Sequence, residues 1–245
     1  GNNSIALGTD TVATGQDSFA TGYQANASAA SSFAIGSNAF SSGINSFALG
    51  TNTTAIAKDA YAFGAAAKAK GVNSVALGTA ANATSADAYA LGLLSLASGE
   101  NSTAFGTSAK ATGRNAFAIG LKAEASNSNA LAFGVSSRSS GNSSTAIGTD
   151  SFSNQLETVA IGFKAQSSSD RSMAAGARSL ASGMESLAIG TLSQATALRT
   201  TAVGTQALAD AIDGVAIGYE AKALARNAYA AGAGARASGV NSIAW

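Results

Sequence analysis

Small and large residues alternate along the chain in a short phrase that recurs every fourteen residues. In one copy, Ser74, Val75, Ala76 and Leu77 precede Gly78. We number the positions of each repeat from one to fourteen, starting at the first residue. Positions five and seven are then mostly large, position six is Ala and position eight is Gly. This period of two is typical of a short β-strand with two different faces.

The period never slips, and seventeen complete repeats with a seven-residue remnant account for all 245 residues. A fixed short period predicts a solenoid, in which successive repeats stack as coils. We therefore expect residues 1–245 to form a single repeat array. The invariant glycines are Gly8, Gly22, Gly36, Gly50, Gly64, Gly78, Gly92, Gly106, Gly120, Gly134, Gly148, Gly162, Gly176, Gly190, Gly204, Gly218 and Gly232.

A second alternation occupies positions eleven to fourteen. Positions eleven and thirteen are always Ala, Ser or Thr, whereas positions twelve and fourteen are mixed and mostly polar, as in Lys68 with Lys70. This predicts a second strand with one small face and one wet face. The other positions, one to three and eight to ten, are expected to be turns. The Gly at position eight predicts either a positive φ or a close backbone approach.

A helical interpretation of the fourteen-residue period is not favoured. A Gly at a fixed site in every repeat costs a helix about 1 kcal/mol each time. Large residues two positions apart would also point to different sides of a helix. Two strands per coil explain the pattern better.

The charges provide an independent indication of which positions are buried. All 27 charged residues fall at positions two, three, ten, twelve or fourteen, so positions four to eight, eleven and thirteen are expected to be buried. Parallel stacking brings equivalent residues of successive coils to about 4.8 Å from each other. It therefore predicts ladders of opposite charge or of amides. The predicted ladders are Glu157, Arg171, Glu185, Arg199 and Asp213 at position three; Asn101, Asn115 and Asn129, also at position three; Lys110, Glu124 and Arg138 at position twelve; and Glu100 with Arg114 at position two.

Composition narrows the possible functions. Hydrophobic residues make up 46% of the chain and keep strict register, which argues against disorder. A net charge of +1 gives no electrostatic basis for binding nucleic acid or an anionic membrane. Without Cys or His, the chain lacks disulfides, thiol catalysis and the commonest general base and metal ligand. No signal peptide or long apolar segment is evident, and because the chain stops inside a repeat we expect a fragment of a longer protein.

Two packing arrangements are compatible with these patterns. In the first, which we favour, the small faces of both strands meet in a thin interior and the large face points outward. In the second, the large residues fill the interior, and the alanines of position six line a tight axis between chains. The first leaves an apolar stripe far larger than soluble monomers tolerate. An all-Ala face is also poorly suited to water, so either arrangement predicts an oligomer.

The phrase Asn-Ser-large-Ala-large-Gly resembles the head repeat of YadA-type trimeric autotransporter adhesins. It is most complete in residues 3–8, 45–50, 73–78 and 101–106, and residues 241–245 begin another copy. The resemblance implies an all-β, left-handed parallel β-roll of 14-residue coils, homotrimeric and displayed on a Gram-negative outer membrane. It also implies binding to collagen, other matrix proteins or cells, without cofactors and without membrane contact in this part. The neck, stalk and membrane anchor of that family are not found in this sequence.

Other functions fit the sequence less well. An enzyme would need clustered carboxylates, but the acidic residues are dispersed, so no catalytic, cofactor-binding or metal-binding residues are predicted. Calcium-binding repeats need recurrent Asp at ligand spacing, which is absent. An ice-binding roll would need a regular array of Thr on the outer strand. The remaining alternative to adhesion is a rigid spacer that projects another binding domain.

Four residues are candidates for ligand contact. Phe40 and Phe152, at position twelve, are expected to be the few large side chains on the outward surface, where an aromatic ring can anchor a partner. Arg171 and Arg199 lie in the charged column of position three, which a ligand lying along the coils would meet once per coil.

Overall fold

The structure, a computed structural model, describes all 245 residues as thirty-five short β-strands and no helix. The chain therefore contains no helix that is long and apolar enough to cross a membrane. The residues group into two compact units, Gly1–Lys122 and Ala123–Trp245, and each is described by itself.

The first unit contains seventeen strands: β1 (Ile5–Leu7), β2 (Val12–Ala13), β3 (Phe19–Thr21), β4 (Asn26–Ala27), β5 (Phe33–Ile35), β6 (Phe40–Ser41), β7 (Phe47–Leu49), β8 (Thr54–Ala55), β9 (Tyr61–Phe63), β10 (Lys68–Ala69), β11 (Val75–Leu77), β12 (Asn82–Ala83), β13 (Tyr89–Leu91), β14 (Leu96–Ala97), β15 (Thr103–Phe105), β16 (Lys110–Ala111) and β17 (Phe117–Ile119).

The second unit contains eighteen strands: β18 (Glu124–Ala125), β19 (Leu131–Phe133), β20 (Arg138–Ser139), β21 (Thr145–Ile147), β22 (Phe152–Ser153), β23 (Val159–Ile161), β24 (Gln166–Ser167), β25 (Met173–Ala175), β26 (Leu180–Ala181), β27 (Leu187–Ile189), β28 (Gln194–Ala195), β29 (Thr201–Val203), β30 (Leu208–Ala209), β31 (Val215–Ile217), β32 (Lys222–Ala223), β33 (Tyr229–Ala231), β34 (Arg236–Ala237) and β35 (Ile243–Ala244).

Within each unit the strands form two parallel ladders. In the first unit the odd-numbered strands pair with one another and the even-numbered strands form the second ladder, as β11 pairs with β13 and β12 with β14. The second unit repeats this arrangement, as β23 pairs with β25 and β24 with β26. Every residue pairs with its equivalent fourteen residues later, for example Ala76 with Ala90. The all-β parallel solenoid predicted from the period is confirmed.

The strands are shorter than the alternation of residues suggests, because the first residue of each predicted strand still belongs to the preceding turn. The amide of Ser74, at position four, donates to the Gly71 carbonyl at 3.2 Å, and the amide of Ala81, at position eleven, donates to the Gly78 carbonyl at 3.2 Å. Both amides close turns, so positions four and eleven belong to turns and the regular ladders cover positions five to seven and twelve to thirteen.

The Gly at position eight meets both conditions that its invariance indicates. Gly78 has a φ of +132°, and a Cβ built on it would lie 2.6 Å from the carbonyl oxygen of Gly92 in the next coil. A side chain there would be strained by the backbone and would also strike the neighbouring coil. The same conformation recurs at the other glycines of this position.

The interior of each unit is built from small side chains. Ala76 and Ala83 in the first unit, and Ala174 and Ala181 in the second, are fully buried. The largest fully buried side chains of the chain are Thr53, Thr158 and Thr200. The small faces of the two strands therefore meet inside, as in the first arrangement considered above. The second arrangement is wrong, because the large residues of positions five and seven point outward.

Buried hydroxyl groups pair across the interior. Wherever position thirteen is Ser, position four of the next coil is Ser or Thr, as in Ser41 with Ser46 and Ser153 with Thr158. The hydroxyl oxygens lie 2.5 Å apart in the first pair and 2.7 Å apart in the second. Because a buried hydroxyl without a partner is costly, Ser at position thirteen occurs only where position four of the next coil also carries a hydroxyl. Ser at position four also occurs opposite Ala, as Ser32 does opposite Ala27, and it then donates to a turn carbonyl.

Candidate functional site

Positions five and seven form an apolar face along the longer strands of each unit. In the first unit Leu77 and Phe105 are 51% and 54% exposed, and in the second unit Phe133 is 51% exposed. The residues between them at position six point inward and are buried. Each unit thus presents a stripe of half-exposed large side chains, with no polar residue larger than Thr within it.

Aromatic rings stack along part of this apolar face in the first unit. The ring centroids of Phe19 and Phe33 are 6.3 Å apart, those of Phe33 and Phe47 are 5.5 Å apart, and those of Phe47 and Phe63 are 5.3 Å apart. Stacked rings at these separations attract one another beyond their shared burial. The in-register pairing of the strands produces the first two contacts. Phe47 meets Phe63 diagonally, because its own register partner is Tyr61.

The turn at position three carries a ladder of polar contacts. Asn73 Nδ2 donates to Asp87 Oδ1 at 3.0 Å, and Asn101 Nδ2 donates to Asn115 Oδ1 at 3.2 Å. In the second unit, the column of alternating charge that the sequence predicts divides into ion pairs. One of these is Arg171 with Glu185, at 2.6 Å.

Arg199 and Asp213 form a two-point ion pair in the same column. Arg199 Nε lies 2.6 Å from Asp213 Oδ1, and a terminal nitrogen lies 2.9 Å from Oδ2. The hydrogen bond from Arg199 holds the pKa of the Asp213 carboxyl below its usual range, and Asp213 in turn raises the pKa of Arg199. Arg199 is exposed and Asp213 is partly exposed, so solvent screens the pair and it contributes little to stability.

The other predicted charge ladders form in part. Glu100 and Arg114 approach to 3.4 Å at position two, and Glu124 and Arg138 approach to 3.5 Å at position twelve. Stacking of equivalent residues therefore accounts for the placement of opposite charges fourteen residues apart.

Comparison of the chain with models of known protein families identifies the family of the repeat. The model of the YadA head domain repeat (2 copies) matches most of the chain in fourteen stretches, most of which overlap. These are residues 1–25, 13–39, 27–53, 41–67, 55–81, 69–95, 83–109, 97–123, 125–151, 156–179, 181–207, 195–221, 209–228 and 223–244. The chain belongs to the YadA head family. YadA heads are adhesin domains of bacterial surface proteins and are not enzymes.

Among solved structures, this chain is similar to the crystal structure of the collagen-binding domain of the Yersinia adhesin YadA. The two share 21% identity over 71% of this chain and 80% of that chain, with a TM-score of 0.27. No significant relative is found among curated proteins.

The two arginines predicted to contact a ligand already form ion pairs. Arg171 and Arg199 both lie in the position-three column, two coils apart, and each is bound to an acidic residue of the following coil. A ligand that uses either guanidinium must compete with that carboxylate or bind both groups together.

The two predicted aromatic residues lie on shorter strands. Phe40, in the first unit, is 38% exposed and pairs with Asn26 and Thr54. Phe152, in the second unit, is half-buried and lines a shallow depression with Arg138 and Asp150. The structure does not bring Phe152 together with either arginine, because position twelve lies on a strand and position three in a turn.

The expectation that Phe40 and Phe152 are the few large outward residues is wrong. Turn positions also expose large apolar side chains, such as Tyr23 at position nine and Leu94 at position ten. These positions vary from repeat to repeat, so the period alone does not mark them. Phe163, at position nine, lies 5.2 Å from Lys164 Nζ, measured to the ring centroid, a contact that the sequence analysis missed.

The chain offers no site for a metal ion of the usual kind. No group of three or more His, Cys, Asp or Glu side chains lies close enough together to hold one.

Proposed function

We propose that this chain is the head of a homotrimeric bacterial adhesin, with residues 1–245 acting as one YadA-type array. The observation that supports the trimer is the exposure of the large residues at positions five and seven, while the interior is filled by Ala, Ser and Thr. Full burial of a large apolar side chain contributes about 1.5–3 kcal/mol. Covering the apolar face by two further copies stabilises each chain where its own interior cannot.

The trimer leaves the wet face of each chain in solvent. Position twelve of the shorter strands, position fourteen after it, and the turn positions two, three and ten carry every charged residue. We place ligand contact on this surface, with Phe40, Phe152, Arg171 and Arg199 among the contacting residues. We further propose the left-handed coil sense of the family.

The proposed ligand is an extracellular matrix protein such as collagen, or the surface of a host cell or another cell. Family membership supports an adhesive role, and a repetitive surface suits a repetitive ligand. Each coil offers one set of weak contacts, and many such contacts add through multivalency. Segments outside this sequence would anchor the head in the outer membrane of a Gram-negative bacterium.

Two measurements test this proposal. Sedimentation equilibrium of the purified chain at micromolar concentration should give the mass of three chains. A folded monomer whose mass does not change with concentration would contradict the trimer. Immobilised collagens, other matrix proteins and cultured cells should then be screened for binding of the trimer. The control is a trimer whose residues at positions twelve and fourteen have been shuffled.

Binding of the trimer to a matrix protein, together with loss of binding by the shuffled control, would support adhesion through the wet face. Equal binding by both proteins would place the contact elsewhere. An intact trimer that binds none of the matrix proteins and no cells would instead indicate a rigid spacer that projects another domain.

A further inference from the structure

Two exposed cations of the second unit stack on each other without an acidic partner. Lys164 and Arg178 occupy position ten of successive coils, and neither forms an ion pair. The nearest residue of opposite charge in their column, Asp150, forms no ion pair with Lys164 either. Like charges in successive turns repel each other, whereas the Arg171–Glu185 pair on neighbouring coils joins opposite charges.

An aromatic ring lies beside these two cations. The Phe163 centroid is 5.2 Å from Lys164 Nζ and 6.0 Å from the central guanidinium carbon of Arg178. Phe163 is itself exposed. The ring limits where the two cationic groups can move, so their charges converge on one place in the turn.

The two cations also line a depression that continues along the coils. Lys164 and Arg178 border it together with Gln166, Leu180 and Gln194. A neighbouring depression shares Gln194 and is bordered also by Leu192, Gln206, Leu208, Glu220 and Lys222. The Glu220 carboxylate lies three coils beyond Arg178, in the same coil as Lys222. We call Lys164, Gln166, Arg178, Leu180, Leu192, Gln194, Gln206 and Leu208 the position-ten groove. It runs along columns ten and twelve, which lie away from the apolar face and stay exposed in the proposed trimer.

We infer that the position-ten groove binds a linear acidic polysaccharide. Lys164 and Arg178 would hold a sulfate or carboxylate group, since a guanidinium can donate two parallel hydrogen bonds to either anion. The amides of Gln166, Gln194 and Gln206 both donate and accept hydrogen bonds, which suits sugar hydroxyl groups. The apolar side chains of Leu180 and Leu208 would contact the C–H faces of the sugar rings.

Spacing argues against an extended acidic peptide as the ligand. Successive coils rise by about 4.8 Å, the separation of paired strands. An extended peptide advances by about 3.3 Å per residue, so its side chains fall out of step with the coils. The amides and leucines of the groove instead suit the hydroxyl groups and C–H faces of sugar rings.

The inference adds a ligand class to the proposed function and uses residues of a single chain. The test is surface plasmon resonance of the 245-residue chain on immobilised heparin. We expect binding that weakens steeply with salt. The double variant Lys164→Gln and Arg178→Gln should weaken this binding at least tenfold. The matched control, Lys68→Gln with Lys70→Gln, removes the same charge from exposed residues of the first unit and should change it less than twofold.

Competition separates the possible sources of the signal. Desulfated heparin and hyaluronan report whether carboxylates suffice, dextran reports neutral sugar binding, and polyglutamate reports any acidic polymer. Equal competition by heparin and polyglutamate at equal charge would overturn the polysaccharide assignment. Equal losses in the groove and control variants would overturn the site. Loss of heparin binding with retained collagen binding in the groove variant would separate this site from the proposed matrix contact.

All variants should first be compared by circular dichroism during thermal melting. The four substituted side chains are exposed or half-exposed, so the melting temperatures should agree within a few degrees. Complete absence of heparin binding by the unmodified, folded chain would also refute the inference.

Discussion

The hydroxyl oxygens of Ser139 and Ser144 lie 2.6 Å apart inside the second unit, linking the end of one coil to the start of the next. Ser144 also donates to the Gly141 carbonyl at 2.7 Å. Other coils have Ala at both positions, as in Ala83 and Ala88, and both are fully buried. Ala27 and Ser32 show a third combination, in which the buried Ser32 donates to the Ala29 carbonyl. The interior therefore accepts two hydroxyls, two methyls, or a hydroxyl at position four alone.

This pairing predicts non-additive effects of substitution. Ser139→Ala should cost little, because it recreates the combination of Ala27 with Ser32 and Ser144 keeps its hydrogen bond to the Gly141 carbonyl. Ser144→Ala should lower the free energy of unfolding by about 1 kcal/mol per chain, since the buried Ser139 hydroxyl loses a partner. The double variant should be nearly as stable as the original, because it recreates the Ala pair of other coils. Chemical denaturation of all four proteins gives the coupling energy. Additive losses would mean that the hydroxyls do not act as a pair.

The alanines of position six should not tolerate larger side chains. Ala118 is fully buried in β17, with the coil interior around it. Ala118→Leu should lower stability by about 1–3 kcal/mol per chain through overpacking. Lys122→Ala, on an exposed turn of the same coil, should change the melting temperature little. Equal shifts of the melting temperature for the two variants would contradict the assigned interior.

Two leucines of similar exposure separate the apolar face from the turn surface. Leu77, at position seven, is 51% exposed and Leu94, at position ten, is 56% exposed. Leu77→Glu should weaken the trimer strongly, because three charges would be buried in the assembly. Leu94→Glu should leave sedimentation unchanged. If Leu94→Glu instead disrupts assembly and Leu77→Glu does not, the chains associate through the turns.

Stability should depend weakly on acidic pH through one ion pair. The pKa of Asp213 is lowered by Arg199 in the folded chain, so its contribution is present above the ordinary aspartate pKa of about 3.9 and is lost as pH falls through the lowered value. Asp213→Asn and Arg199→Ala should each remove the same small part of the fall in melting temperature at acidic pH. Thermal melts between neutral and strongly acidic pH measure it. Different slopes for the two variants would argue against their direct coupling.

Matrix binding should be distributed over many coils. Phe40→Ala, Phe152→Ala, Arg171→Ala and Arg199→Ala should each change affinity only a few-fold, since each removes one weak contact among many. Removing half of the array in whole coils should weaken binding steeply. Affinity for immobilised collagen, measured on variants of unchanged stability, tests this. Complete loss from Phe152→Ala alone would indicate a local pocket.

Much of the fold follows from the sequence because stacking repeats each constraint seventeen times. Gly78 and Ala76 are predictable since their columns never vary, and their structural reasons, a φ of +132° and complete burial, are the same in each coil. The ion pair of Arg171 with Glu185 follows from the same stacking. A one-residue shift in strand register would have moved each of these residues away from the place that the sequence predicts for it.

The turn conformations were not predictable from residue type. Positions three and ten adopt a φ near +55° in nearly every coil, even where the residue is Leu94 or Arg178. Asn or Asp normally marks this left-handed conformation. Here the ladders on both sides fix the backbone, so the side chain is free to vary. That freedom is why the cluster of Phe163, Lys164 and Arg178 has no signature in the repeat, although column stacking would have placed Lys164 next to Arg178.

No fully buried side chain is larger than Thr, and this affects how the number of repeats can change during evolution. Neighbouring coils inside a unit present one another with almost the same small, flat surfaces, so the two sides of a deleted coil would still match. Recombination within the gene can then remove or duplicate one repeat without creating a cavity or a clash. Repeat number becomes a trait that selection can adjust one coil at a time, while the ligand-facing residues of each coil diverge independently.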